Sequence, residues 1–152
     1  MALMGGYREI AQILLDKKAN VNQQSEDWGT ALQAASDKGY LEIVEMMLDK
    51  GADVNGQSDY WGGTALKVAS EKGHSEIVEM LLDKGANVNL QTRERGTALY
   101  SASKGGHREV VQILLDKGAN VNLTSSWGTA LQAALAKGYN EIVQMLKDKG
   151  AV

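Results

Sequence analysis

Two histidines are the residues of this chain best suited to metal binding or general-base catalysis. His74 and His107 are the only histidines, and neutral imidazole both binds metals and exchanges protons near neutral pH. The equivalent places in the other copies of the surrounding segment hold Tyr7, Tyr40 and Tyr139. A position that accepts both His and Tyr is typical of packing and hydrogen bonding. We therefore expect no metal, no cofactor and no catalytic role at this pair.

Carboxylates recur in two rows that could resemble an acid–base pair. One row lies at the start of a predicted helix and the other near its end: Glu9, Glu42, Glu76, Glu109 and Glu141, then Asp16, Asp49, Asp83, Asp116 and Asp148. Glycoside hydrolysis needs one pair of carboxyl groups about 5 to 10 Å apart around a substrate. A row repeated once per unit provides no unique pair, and an acidic residue early in a helix suits the helix dipole. These rows indicate a solvated face.

Other catalytic patterns are missing from the sequence. There is no cysteine, which excludes disulfides, thiolate metal sites and cysteine nucleophiles. The glycine pairs Gly62-Gly63 and Gly105-Gly106 lack the strand–loop–helix context and the lysine of a phosphate-binding loop. The sequence therefore predicts a protein that is not an enzyme.

The elements that carry these residues are defined by a repeat. Gly-Thr-Ala-Leu begins at Gly29, Gly63, Gly96 and Gly128, so the period is close to 33 residues. Modules of this length bury their apolar faces against one another. The sequence thus predicts an all-α solenoid, with function on a surface rather than in an enclosed pocket.

One unit shows how the helices form. Thr30 can cap a helix from Ala31 to about Lys38, and Gly39 ends it in a left-handed conformation. A second helix follows from Leu41 to about Lys50, with an apolar stripe at helical spacing. An extended, polar link then leads to the next unit. Two short antiparallel helices and a projecting turn are expected in each unit.

We divide the chain into one array, residues 1–152, with a truncated unit at 1–24, full units at 25–57, 58–90 and 91–123, and a C-terminal capping unit at 124–152. Aligned by its glycine, the segment up to Gly6 supplies only the last turn of a first helix. Lys18 stands where other units close their second helix with glycine, which costs about 1 kcal/mol if the backbone is left-handed. Lys147 replaces a leucine and suits an outer face in water.

The repeat resembles the ankyrin repeat along essentially the whole chain. The matching residues are Thr64-Ala65-Leu66, Gly73-His74, Ile77-Val78, Leu81-Leu82 and Gly85-Ala86-Asn87-Val88-Asn89. The Trp-Gly-Thr-Ala-Leu-Gln-Ala-Ala form is similar to units of large fungal signalling proteins. The resemblance implies stacked helix pairs, projecting β-turn or hairpin loops, and a concave face that binds another macromolecule without catalysis.

Two departures from the ankyrin pattern run through all copies. Alanine stands where the family has proline, at Ala31, Ala65, Ala98 and Ala130. Gln33, Lys67, Tyr100 and Gln132 stand where the family has a histidine that ties neighbouring repeats. The resemblance therefore implies a weakened tie at Lys67 and Tyr100, whereas glutamine can supply a similar donor.

The turns before each Gly-Thr-Ala-Leu vary while their framework repeats, which indicates binding. Trp, Tyr and Arg, the residue types that dominate interface energetics, are concentrated there. The expected partner-binding residues are Glu26, Asp27, Trp28, Asp59, Tyr60, Trp61, Arg93, Arg95 and Trp127, with Lys67 and Tyr100 from the first helices. Trp28 and Trp127 have two interpretations: packing against neighbouring turns, or partly exposed anchors.

The ends of the first helices lie on the same side in ankyrin arrays. They read Asp37-Lys38, Glu71-Lys72, Lys104-Gly105 and Ala136-Lys137, so the charge changes from acidic to basic along the array. A partner with a complementary order of charge fits this pattern, although solvated faces look similar.

The composition limits the classes of partner that we expect. A formal net charge of −3 does not favour nucleic acid, and no apolar run approaches the roughly 20 residues of a membrane span. The first residues do not resemble a signal peptide, so an intracellular location is expected. We expect a protein partner and a monomeric chain, with end-to-end association through Leu3, Ile10 and Leu14 as the alternative.

Two functions remain open from the sequence. The first is a protein-binding scaffold whose site combines the turns and the first helices. The second is an engineered or excised array with a purely structural role and no partner of its own, which the abrupt ends and Lys147 motivate.

Overall fold

The computed structural model describes residues 2–25, 29–58, 63–91 and 96–152 of the chain. In these residues the elements are α1 (Ala2–Asp16), β1 (Gln24–Ser25), β2 (Gly29–Thr30), α2 (Ala31–Lys38), α3 (Leu41–Asp49), α4 (Ala65–Lys72), α5 (Ser75–Asp83), α6 (Ala98–Gly105), α7 (Arg108–Asp116), α8 (Ala130–Lys137) and α9 (Asn140–Asp148). We call α2, α4, α6 and α8 the first helices of their units, and α1, α3, α5, α7 and α9 the second helices. The predicted all-α repeat solenoid is confirmed.

The first helices begin and end where local chemistry requires. The Thr30 Oγ1 atom accepts a hydrogen bond from the Gln33 backbone N–H (3.2 Å), and the Gln33 Oε1 atom accepts one from the Thr30 N–H (2.8 Å). This reciprocal pair satisfies two backbone donors that a helix start leaves without partners. The helix ends at Gly39, whose φ of 73° is left-handed. The predicted bounds of this helix, Ala31 to Lys38, are confirmed.

The core lies between two layers of helices. First helices pack on first helices, second helices pack on second helices, and each unit pairs one of each. Small side chains such as Ala69 and Ala102, both fully buried, let the first helices approach closely. Branched side chains such as Val78 and Val111 of the second helices, also fully buried, fill the space between the layers. Burial of each such side chain contributes about 1.5–3 kcal/mol.

The N-terminal segment differs from the sequence prediction. A single helix runs from Ala2 to Asp16 and passes through Gly6 without a break, so the expectation that Gly6 closes a separate first helix is wrong. A remnant of one turn cannot stand alone, because helix nucleation is unfavourable until several hydrogen bonds have formed. Continuing the second helix through Gly6 costs only about 1 kcal/mol relative to alanine.

The described bases of three turns form short antiparallel pairs. Strand β1 pairs antiparallel with β2, with Gln24 opposite Thr30 and Ser25 opposite Gly29. Single antiparallel bridges join Ser58 to Gly63 and Ser125 to Gly128. These three turns are thus held at their bases by backbone hydrogen bonds, and each base leads directly into the threonine that caps the first helix.

The Val-Asn step of each unit forms a row of hydrogen bonds between units. The Asn55 side chain donates to the Gly85 carbonyl (3.2 Å) and accepts from the Asn87 backbone N–H (2.8 Å), and Asn22, Asn89 and Asn122 repeat this pattern. The row fixes the loop after each second helix to the next unit.

Gln33 supplies the tie between units that the resemblance led us to expect of glutamine. Its side chain is fully buried, and its Nε2 atom donates to the carbonyls of Gly63 (2.6 Å) and Gly56 (3.3 Å) in the following segment. One side chain therefore caps its own helix and holds the base of the next turn.

Lys18 and Lys147 differ in residue type from the equivalent positions of the other units, and both have the conformation or exposure that we expected. Lys18 has a φ of 60° and is the single non-glycine residue with a positive φ in the described parts of the chain. Lys147 is exposed, whereas Leu115 at the equivalent place in the preceding unit is buried. Across the described ranges, no helix combines the length and the apolar character that crossing a membrane requires.

Candidate functional site

Three of the residues that the sequence suggests for partner binding lie in the described part of the chain. They are Lys67 in α4, Tyr100 in α6 and Trp127 in the turn before α8, and they line the same groove. The other eight lie outside the described residues: Glu26, Asp27, Trp28, Asp59, Tyr60, Trp61, Arg93 and Arg95. The candidate site is therefore built from the three residues that share the groove.

This groove crosses three consecutive units and has a volume of about 470 Å³. Equivalent parts of three first helices form its walls, because α4, α6 and α8 pack side by side. We call it the lysine groove. Its lining is Lys67, Glu71, Tyr100, Ser101, Lys104, Gly105, Trp127 and Lys137.

Lys67 and Tyr100 form the deep part of the lysine groove. Their residues are 3% and 8% exposed, and the Lys67 Nζ atom lies 3.7 Å from Glu71 Oε2. Burial raises the pKa of the Tyr100 hydroxyl, so that this group stays neutral at physiological pH. A partner in the groove would therefore meet the edges of these two side chains rather than free, fully solvated groups.

Trp127 forms the exposed rim of the same groove. It is 69% exposed, although its backbone N–H donates to the Ser125 hydroxyl (3.1 Å) and the turn is closed by the Ser125–Gly128 bridge. A large aromatic side chain on a fixed turn gains contact area without losing much backbone entropy on binding. Of the two interpretations of Trp127, the exposed one describes its position. Trp28, for which the same two interpretations were given, lies outside the described residues.

The comparison of units within the sequence named Lys104 and Lys137 only as part of a change of charge along the array. It did not name Ser101 or Gly105 as binding residues. The signal for Ser101 was present, since the equivalent places hold Ala34, Val68 and Ala133. Gly105 stands where the other units carry Lys38, Lys72 and Lys137. Ser101 therefore adds a hydroxyl where the other units have apolar side chains, and Gly105 removes a long side chain from the groove wall.

A different arrangement of charge is found at the other end of the row of first helices. The Asp37 carboxylate, only 4% exposed, lies 3.1 Å from Lys38 Nζ and 3.3 Å from Lys72 Nζ. Burial alone raises the pKa of Asp37, but the hydrogen bonds and charges of these lysines outweigh it and hold the pKa below its ordinary value. Asp37 is therefore ionised and internally neutralised at neutral pH.

The two histidines hold adjacent units together. The His74 Nε2 atom lies 3.1 Å from the Asp37 carbonyl oxygen, and His107 Nε2 lies 2.9 Å from the carbonyl oxygen of Glu71. Each ring also covers the closing glycine of the preceding first helix; a Cβ atom on Gly73 would lie 2.5 Å from His107 Nδ1. These contacts are the packing and hydrogen bonding that we predicted for this position. The described residues include no cluster of three side chains suited to a metal ion.

The second-helix aspartates are paired across units rather than gathered around a substrate. Four of the five lie near a lysine of the next unit: Asp16–Lys50 at 3.4 Å, Asp49–Lys84 at 2.8 Å, Asp83–Lys117 at 2.7 Å and Asp116–Lys149 at 4.0 Å. The hydrogen bonds that Lys84 and Lys117 donate to Asp49 and Asp83 raise the pKa of both lysines. All of these side chains are exposed, as expected for a solvated face.

An apolar groove of about 450 Å³ lies at the other end of the array, between α1 and α2. Tyr7, Ile10 and Leu14 border it and are more than half exposed. The Tyr7 ring stacks on Tyr40, with centroids 5.9 Å apart. The lining carries almost no polar surface, so its chemistry differs from that of the lysine groove.

Comparison with known proteins gives a consistent result. A family model described as ankyrin repeats, in three copies, matches residues 1–92 and again residues 86–152, which together span the chain. A search of curated proteins returned no match.

Proposed function

Because the chain belongs to the ankyrin-repeat family, whose repeats are generally protein–protein interaction modules, we propose that it binds a protein partner on the face formed by its turns and first helices. Proteins of this family are typically non-catalytic scaffolds. We further propose that it acts as a monomer and that the lysine groove is the centre of the binding face.

The observation that carries this proposal is the exposure of Trp127 beside the lysine groove. Tryptophan is among the residues most enriched at binding hot spots. Here it borders a concavity whose walls come from three units, so one partner segment can contact all three. The other eight residues predicted to bind a partner lie outside the described residues and stay predictions.

The test is a selection of binders from a displayed library of protein fragments, followed by affinity measurements on Trp127→Ala. We expect this change to weaken the selected complexes at least tenfold, because a hot-spot truncation costs about 2 kcal/mol or more. The free energy of unfolding should change by less than about 0.5 kcal/mol, since the side chain is mostly exposed.

The matched control is Ile13→Ala, which removes another exposed apolar side chain, 59% accessible, from α1. It should leave the affinity unchanged. Binders that tolerate Trp127→Ala but are lost in Ile13→Ala would move the site to the other end of the array. A selection that returns no specific binder would favour the alternative of an array with a structural role alone.

A further inference from the structure

We propose that the lysine groove takes an extended acidic segment of the partner protein, with carboxylates that pair with Lys104 and Lys137 and an apolar side chain against Trp127. This inference rests on the proposed function and adds the chemistry of the partner. Three features of the groove support it: the charge of its lining, its volume, and the distance between Lys104 and Lys137.

Among the described residues that line the groove, positive charge is in excess. They include three lysines and one glutamate, Glu71, which is an ion-pair partner of Lys67. At the place equivalent to Glu71, the previous unit has Asp37 and the next unit has Lys104, so the sign reverses along the row. Among the described residues, no carboxylate lies within ion-pair distance of Lys104 or Lys137, whereas Asp37 has two lysines beside it.

The groove that Lys104 and Lys137 line has a volume of about 470 Å³. Gly105 stands where each of the other units carries a lysine, and it lines the groove without a side chain. A Cβ atom built on Gly105 would lie 2.5 Å from two atoms of the His107 ring and 3.3 Å from the Glu71 carbonyl oxygen, so His107 and α4 pack closely against this glycine. The space for a peptide backbone is therefore the open volume of the groove, about 470 Å³, and not the place of a missing side chain.

The spacing of the lysines suits an extended peptide. Neighbouring helices pack about 8–10 Å apart, so Lys104 on α6 and Lys137 on α8 are separated by about one such step at their backbones. An extended chain advances about 3.3 Å per residue, so carboxylates about three residues apart span this distance. Exposed aromatic and basic residues can also bind single-stranded nucleic acid, but the net charge of −3 works against a polyanion of high charge density.

The experiment measures fluorescence anisotropy with three labelled probes at low salt. The first is an eight-residue peptide of glutamates and serines with one tyrosine, the second replaces every glutamate with glutamine, and the third is oligouridine of similar length. We expect the acidic peptide to bind most tightly and to lose affinity as salt is added. Lys104→Gln and Lys137→Gln should each weaken it about two- to fivefold, because exposed ion pairs contribute little individually.

The matched control is Lys84→Gln, which removes the same charge from the second-helix face, where Lys84 pairs with Asp49. It should leave binding unchanged. Far-ultraviolet circular dichroism checks that the variants fold, and the salt dependence of the unaltered protein tests the inference without any variant.

Each contrary result has a distinct meaning. If the glutamine peptide binds as tightly as the acidic one and Trp127→Ala weakens both, the acidic chemistry is wrong and the proposed binding face stands. If the acidic peptide tolerates Trp127→Ala and is lost in Lys84→Gln, both proposals are wrong. Tighter binding of oligouridine, or no binding of either peptide, also overturns the acidic segment.

Discussion

Lys18 shows how one residue carries a cost that its equivalents avoid. Its φ of 60° is left-handed, and Gly51, Gly85 and Gly118 occupy the equivalent place in the following units. A left-handed backbone crowds the Cβ atom of any L-residue, whereas glycine has no such penalty.

We expect Lys18→Gly to raise the free energy of unfolding by about 1 kcal/mol. Urea denaturation followed by circular dichroism measures this change. Lys17→Gly is the matched control, because the neighbouring residue has no positive φ and glycine there should not stabilise. Equal effects of the two substitutions would show that backbone strain is not the cause.

The roles of single residues could be predicted where several copies of one position were available for comparison. His74 and His107 were assigned to packing and hydrogen bonding because tyrosine stands at the same place elsewhere, and their contacts across units confirm this. The burial of Lys67 and Tyr100 could not be predicted in this way. It depends on how closely α4, α6 and α8 pack, which is a property of neighbouring units and not of the local sequence.

At the scale of the element, the junction between units depends on side chains that hydrogen-bond both within their own unit and to the next one. The Gln33 side chain accepts a hydrogen bond from the Thr30 backbone N–H of its own unit and donates one to the Gly63 carbonyl of the next unit. Gln132 repeats only the first of these contacts, to the Thr129 N–H at 2.9 Å, and it is exposed. The two glutamines therefore separate the capping role from the role between units.

Gln33→Ala should cost about 1–3 kcal/mol more than Gln132→Ala, since it removes buried hydrogen bonds as well as the cap. Thermal or urea denaturation of both variants measures the difference. If the two substitutions cost the same, capping alone explains the glutamine, and the bond to Gly63 contributes nothing to stability.

Helix bounds could be predicted where the signals were local. Thr30 and Gly39 define a helix from within its own sequence, because a cap and a left-handed glycine act over a few residues. The continuous α1 could not be predicted from the alignment of Gly6, since a glycine inside a helix is tolerated at a cost of about 1 kcal/mol and does not by itself mark a helix end.

The described residues form a row of units in which each unit packs mainly on its neighbours. In the described part of the chain, α1 packs mainly on α3, whereas α6 packs on α4, α7 and α8. In such an array, stability is roughly a sum of unit terms and interface terms, so units with fewer interfaces open more easily.

Native-state hydrogen exchange should therefore give a gradient of opening free energy, from near zero in α1 to the global value in α6 and α7. Amide exchange followed by NMR at several denaturant concentrations would show it. Protection of α1 equal to that of α6 would contradict the gradient and would indicate that a second chain covers Tyr7, Ile10 and Leu14. Light scattering at the same concentration would then report an assembly larger than a monomer.

The two glycines that close the helices of a unit face different constraints when repeats are duplicated or recombined. Gly85 has open space around it, so a replacement there meets only a strained backbone, and Lys18 shows that the array accepts one. Gly73 lies under the His107 ring of the following unit, so any side chain at this place also collides with a residue from another repeat. In copies of this array, we expect the glycine after a second helix, such as Gly85, to be replaced independently of other positions. The glycine after a first helix, such as Gly73, should be kept wherever the next unit has a ring at the place of His107.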